Sequence, residues 1–114
     1  MNSEIEHLDA ALREAISKSF IPLQTTRVIK REAFDKLNSI AKKLAKALKS
    51  HAFISKSLLY EIYGSIGILR NEAPYFKIEK DFLEEVANQL ELTLGLILID
   101  ESHEDRIPGK PRII

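Results

Sequence analysis

The sequence predicts an all-α chain: a single-domain bundle of about four helices over residues 1–105, followed by an extended C-terminal tail over residues 106–114. Three observations predict it. Apolar residues recur at three- and four-residue spacing in four separate stretches, which is the period of one helix face. The 114 residues are 45% hydrophobic and 30% charged, rich in Leu, Ala, Lys and Glu, and hold only 4 Gly and 4 Pro, the composition of helices joined by short links. The length is that of one domain, large enough to bury a single core without staples.

The first helix is predicted over residues 3–18. Ser3 caps its first turn, Glu4 and Glu6 suit the positive end of the helix dipole, and Ile5, Leu8, Leu12, Ala15, Ile16 and Phe20 make its apolar stripe. Pro22 breaks the pattern, so residues 21–26 are predicted to be a connection, with Thr25 or Thr26 as the next N-cap. The second helix, residues 28–50, aligns Ile29, Ala33, Phe34, Leu37, Ile40, Ala41, Leu44 and Leu48 on one face. Ser55 or Ser57 caps the third, whose stripe is Leu58, Ile62, Ile66, Leu69 and Ala73, widened by Leu59 and Tyr63, until Pro74 ends it.

Residues 78–100 carry the longest apolar series: Phe82, Leu83, Val86, Leu90, Leu94, Ile97 and Leu98. The alternating leucines from Leu90 to Leu98 also fit a strand, but the run contains no turn residue and few β-branched or aromatic ones, which decides for a buried helix. Leu92, Leu96 and Ile99 lie off the stripe, so its last turns should be covered on more than one side. Gly64, Gly67 and Gly95 are expected to mark a close approach of the third and fourth helices. Pro108 and Pro111 keep the tail from continuing as helix.

Cysteine is absent, which excludes a disulfide framework, a thiolate metal site and a cysteine nucleophile, and suits a reducing cytoplasm. The polar start has no secretory pattern, and no apolar run approaches the roughly 20 residues of a membrane span, so a cytoplasmic protein with no membrane partner is expected. Gly-x-Ser-x-Gly, HExxH and Gly-rich phosphate loops are all missing. No catalytic residue is nominated, and the expectation is a non-enzyme without a cofactor. Glu4 and His7 make one Glu-x-x-His pair, whereas di-metal bundles use two with further glutamates. The comparable spacing of Asp100 and His103 falls where the last helix should end, so no metal ligand is assigned, and His7, His51 and His103 are placed at the surface.

Charge is segregated along the chain. Residues 27–56 hold nine basic residues against two acidic ones, and residues 79–105 hold nine acidic residues against Lys80 alone, although the whole chain has a formal net charge of +0. The lysines of the second helix, Lys42, Lys43, Lys46 and Lys49, are the candidate nucleic-acid contacts. The acidic series Glu84, Glu91, Asp100, Glu101, Glu104 and Asp105 is the candidate contact for a basic protein surface. A solvated face, or pairing of one set with the other, is the plainer reading of both, because exposed ion pairs are worth only about 0 to 1 kcal/mol each.

The most distinctive polar cluster is Arg70, Asn71 and Glu72 at the end of the third helix. It resembles the Arg-Asn motif of the HEPN superfamily of helical-bundle ribonucleases and their inactive relatives, and that of mannitol-repressor-type helical domains. The active nucleases of that superfamily have a His several residues after the Arg. Here Arg70 is followed by Asn71, Glu72, Ala73, Pro74, Tyr75, Phe76 and Lys77, so the resemblance implies no nuclease activity. In size, lack of cysteine and lack of any site motif the chain is similar to the small helical immunity proteins of bacterial toxin systems, including contact-dependent inhibition. That resemblance implies an inhibitor that blocks a toxin domain through a charged face. The alternatives are a nucleic-acid-associated regulator or antitoxin-like protein using the lysine stripe, and a self-associating helical scaffold.

Overall fold

Burial of the apolar stripes produces four helices: α1 (Ser3–Thr25), α2 (Arg31–Ala47), α3 (Lys56–Glu72) and α4 (Lys80–Leu98). Two 3-10 turns complete the fold, Ala73–Tyr75 before α4 and His103–Asp105 after it. The computed structural model describes residues 3–105; the predicted tail lies outside them. Among the described residues there is no strand, and no helix is long and apolar enough to cross a membrane. Helices α1 and α2 pack as one pair and α3 and α4 as another, with α2 against α4 between the pairs and a narrower seam between α1 and α3.

Phe34 of α2 sits at the centre and is fully buried. Its ring meets Phe20 of α1 edge-on at 5.5 Å between centroids and Phe82 of α4 at 6.1 Å, the geometry that aromatic quadrupoles prefer. Leu12, Leu23, Leu37, Leu44, Leu69, Leu83 and Leu90 fill the space around it with no exposed area.

The first helix is longer than its sequence pattern predicts. Pro22 lies inside α1, which continues to Thr25. The proline ring forfeits one backbone hydrogen bond and disfavours the helix by about 3 kcal/mol. Phe20 and Leu23, on either side of it, are buried, and only the helical path sends both into the core. Thr25 and Thr26 therefore do not cap the next helix. Their hydroxyls donate back to the carbonyls of Ile21 and Pro22 at 2.6 and 3.1 Å, closing the end of α1. Arg27 turns the chain at φ 58, and α2 starts from Lys30 without a side-chain cap. Ser55 is the cap of α3, accepting from the Leu58 N–H at 3.4 Å.

Two further expectations are corrected. A Cβ placed on Gly64, Gly67 or Gly95 would meet no atom within 4 Å, so these glycines do not mark a close approach between α3 and α4. Tyr63 does not widen the buried stripe of α3; it is 67% exposed. In the last turns of α4, Leu96 and Ile97 are buried while Leu98 points outward.

The seam between α1 and α3 carries a charged cluster. Arg13 donates to Asp9 Oδ2 at 2.7 Å and lies 3.7 Å from Glu61 Oε1. Burial, with the charge of Asp9 behind it, pushes the Glu61 carboxyl above its ordinary value of 4.5, and Arg13 offsets only part of this. The folded state therefore holds the Glu61 proton more tightly than the unfolded chain, and the stability that gives is lost as pH rises through the folded pKa.

Two outcomes follow from this packing. Phe34→Ala should lower unfolding free energy by about 3–5 kcal/mol, as removal of a buried aromatic ring does, measured by urea denaturation followed by circular dichroism. Glu61→Gln, neutral at every pH, should be more stable than the parent at pH 7 and lose that advantage below pH 4.5; a constant difference across the range would contradict the assignment.

Candidate functional site: charged tips and a tyrosine face

The segregated charges of the sequence meet in space. At the C-terminal end of α4 the chain leaves the helix through a Schellman motif: the Glu101 N–H donates to Leu96 O at 2.8 Å and the Asp100 N–H to Ile97 O at 3.1 Å. Asp100 takes the left-handed position at φ 59, and Ser50, just past α2, is left-handed at φ 69. The two are joined, because Asp100 Oδ1 accepts from the Ser50 N–H at 2.6 Å. Lys46 then pairs with Glu104 at 3.1 Å and Lys49 with Asp105 at 2.8 Å. Thus Asp100, Glu104 and Asp105 of the acidic series tie the exit of α4 to the last turn of α2, and Lys46 and Lys49 of the lysine stripe receive them. Glu101 is half-buried at the same place.

His103 lies inside this knot. Thr93 is buried and its hydroxyl donates to Gln89 O at 2.9 Å, so its 2.8 Å contact with His103 Nε2 requires the imidazole to donate there. The other end of the molecule is tied in the same way. Arg27 pairs with Glu72 at 2.9 Å and lies 4.6 Å over the Phe76 ring, and Arg31 pairs with Glu79 at 2.7 Å and lies 4.4 Å over the Phe82 ring. Within the lysine stripe, Lys42 and Lys43 carry no ion pair among the described residues.

The remaining acids of the series, Glu84 and Glu91, lie one heptad apart on the outer side of α4, and Leu98 follows at the next heptad, 64% exposed. Helix α3 runs antiparallel beside them. Arg70 donates to Asn88 Oδ1 at 3.1 Å and reaches Glu91 at 3.4 Å. Tyr63 is two turns back from Arg70 on α3, and Leu98 is two turns on from Glu91 on α4. Tyr60, one turn further along α3, is 72% exposed. Tyr60, Tyr63 and Leu98 are thus exposed on the two helices that the Arg70–Glu91 pair joins. Asn71 is exposed beside Arg70.

Sequence reasoning missed this face because it placed Tyr63 in the core stripe. The available signal was the spacing: Tyr60 and Tyr63 fall on the same side as Gly67 and Arg70, away from Leu58, Ile62 and Leu69. No group of three or more metal-ligating side chains comes together among the described residues.

Lys49, followed by the Ser102 N–H, holds the Asp105 carboxyl below its ordinary value of 3.8. A depressed carboxylate pKa stabilises the fold above the unfolded value, and that contribution is lost as pH falls through the folded one. A carboxyl-detected NMR titration should therefore place Asp105 below 3.8 in the parent and move it upward in Lys49→Ala. No protein-family model matches this sequence, and no curated protein or solved structure matches it either.

Proposed function

We propose that the chain is a cofactor-free protein-binding module of the inhibitor or immunity type, which blocks a toxin domain by covering a basic surface on it. The observation that carries this reading is the outer face of α3 and α4. Tyr60, Tyr63 and Leu98 are each exposed on the packed helices α3 and α4, and tyrosine is among the residues most enriched at interface centres. Glu84, together with Glu91 where a partner's cation displaces Arg70 from it, supplies negative charge that suits a basic partner and speeds its approach. Asp100, Glu104 and Asp105, engaged with α2, contribute by fixing the end of α4 rather than by meeting the partner directly.

A second reading has its own observation. Lys42 and Lys43 have no ion-pair partner among the described residues, and with Lys46 and His103 they line a shallow hollow. A nucleic-acid-associated regulator or antitoxin would use this place, with phosphates displacing Glu104 from Lys46.

The two separate in one experiment. Tagged protein is used to capture partners from lysate of the native cell, with and without nuclease, and the parent is compared with Tyr63→Ala/Leu98→Ser and with Lys42→Ala/Lys43→Ala. The inhibitor reading expects one stoichiometric protein that survives nuclease and is lost, by about tenfold or more as for removal of interface anchors, in the tyrosine–leucine variant alone. Capture that vanishes with nuclease, or that fails only in the lysine variant, would reject it in favour of the second reading.

A further inference from the structure

The end of α2 presents a row of cations that the chain itself covers with anions. Lys42 and Lys46 are four residues apart and share one side of α2, Lys43 lies beside Lys42, and Lys49 follows in the turn that closes the helix. The turn His103–Asp105 lies against this row, with Glu104 on Lys46 at 3.1 Å and Asp105 on Lys49 at 2.8 Å. A hollow of about 260 Å³ between turn and helix is lined by Lys42, Lys43, Lys46, Ser102, His103 and Glu104. Three acids act on one cation here: Lys49 is held above its ordinary value of 10.5 by its hydrogen bond to Asp105, with the charges of Asp105, Asp100 and Glu104 behind it.

The turn is seated by contacts that do not involve the lysines. Ser102 is buried, and its N–H and hydroxyl both donate to Asp105 Oδ2, at 2.9 and 3.3 Å, which closes the turn as a capping box closes a helix. His103 donates to Thr93 of α4 at 2.8 Å, and Asp100 accepts from the Ser50 N–H at 2.6 Å. Neutralising Glu104 and Asp105 therefore leaves the turn in place. The Glu104 side chain is 68% exposed, so rotation of that one side chain uncovers Lys46. Both ion pairs are of the exposed kind that is individually weak, and a polymer with many anions displaces them.

We infer that the lysine row is a binding surface for a phosphate polymer and that the acidic turn is its internal competitor, with Glu104 and Asp105 standing in for two consecutive phosphates. Binding exchanges the two carboxylates for phosphates on Lys46 and Lys49, and Lys42 and Lys43 extend the contact along α2. Glu104, the more exposed of the pair, gives way first. Two sources share this chemistry: a single strand of nucleic acid and inorganic polyphosphate. The inference rests on the second reading above and deepens it by adding the chain's own control of the site.

The test is fluorescence anisotropy of a labelled oligothymidylate with the purified full chain at neutral pH and about 50 mM salt, with inorganic polyphosphate as competitor. Glu104→Gln/Asp105→Asn should bind about three- to tenfold more tightly than the parent, the effect of releasing two exposed pairs. Its log affinity should also fall more steeply with log salt, by about 0.7 per lysine released. The amide of Asp105→Asn keeps an acceptor for the Ser102 N–H, and Glu104→Gln alone, at an exposed position, should show part of the gain. Glu84→Gln/Glu91→Gln, which raises net charge by the same amount elsewhere on the chain, should gain less than about twofold because distant charges are screened. Lys46→Ala/Lys49→Ala added to the neutral turn should abolish the gain. Displacement by polyphosphate at equal phosphate concentration points to that polymer, and its failure to displace points to a nucleic-acid strand, both in keeping with the inference. An equal gain in the Glu84 and Glu91 variant, or a gain that persists without Lys46 and Lys49, would overturn it. Binding by the parent with no gain in either turn variant would overturn it and leave the second reading standing, whereas no binding by parent or variants would overturn both.

Discussion

The edge-to-face contact of Phe34 with Phe20 and Phe82 is what the rest of the bundle is arranged to permit. There α1, α2 and α4 meet at a single side chain, and it explains why α1 runs through Pro22. Ending the helix before the proline would turn Phe20 away from the ring it packs on and Leu23 out of the core, and two large buried side chains outweigh one backbone hydrogen bond. The same contact gives α2 its role as the shared wall of the molecule. Arg31 lies over the outer face of Phe82, so the aromatic series that starts in the core ends in a cation at the surface.

Around this centre the ionic contacts close the two ends and leave the flanks open. Arg27 and Arg31 bind the turn before α4, and Lys46, Lys49 and Ser50 bind the turn after it. Each pair is exposed and individually weak. Their joint effect is positional: they fix where α4 begins and ends relative to α2, while Arg70 of α3 meets Asn88 and Glu91 on the outer side of α4. The surface with the character of an interface is built by the less amphipathic pair of helices, α3 and α4, while α2 carries the steepest contrast between its faces and has the core on one side and lysines on the other.

The helices were legible in the sequence because each is a local pattern. The stripes of α2 and α3, the Ser55 cap and the stop at Pro74 depend on residues within a few positions of one another. The extension of α1 was not legible, since the energy that overrides Pro22 comes from Phe34 and its neighbours in another helix. The candidate site was legible only as two lists of charges. That Lys46 faces Glu104, 58 positions away, has no local signature, and nothing in the run of residues says which carboxylates are engaged by lysines and which stay outward. Tyr63 was misplaced for a different reason: beside Ile62 a tyrosine reads as apolar, although its spacing sets it with Gly67 and Arg70 on the outer side of α3. The glycines misled in the opposite sense, because a small residue is compatible with a close neighbour without requiring one.

The pairing of the tips has a consequence for how the molecule behaves in solution. A chain whose halves differ so much in charge would, if extended, be a strong electric dipole. Folding short-circuits that dipole by setting opposite charges within about 3 Å of each other at both ends. With a formal net charge of +0 and a sequence pI near 6.8, little field extends past a Debye length of about 8 Å at physiological salt. Copies of the chain therefore repel each other weakly at neutral pH, so exposed apolar groups such as Tyr60, Tyr63 and Leu98 weigh more heavily on its colloidal solubility than net charge does.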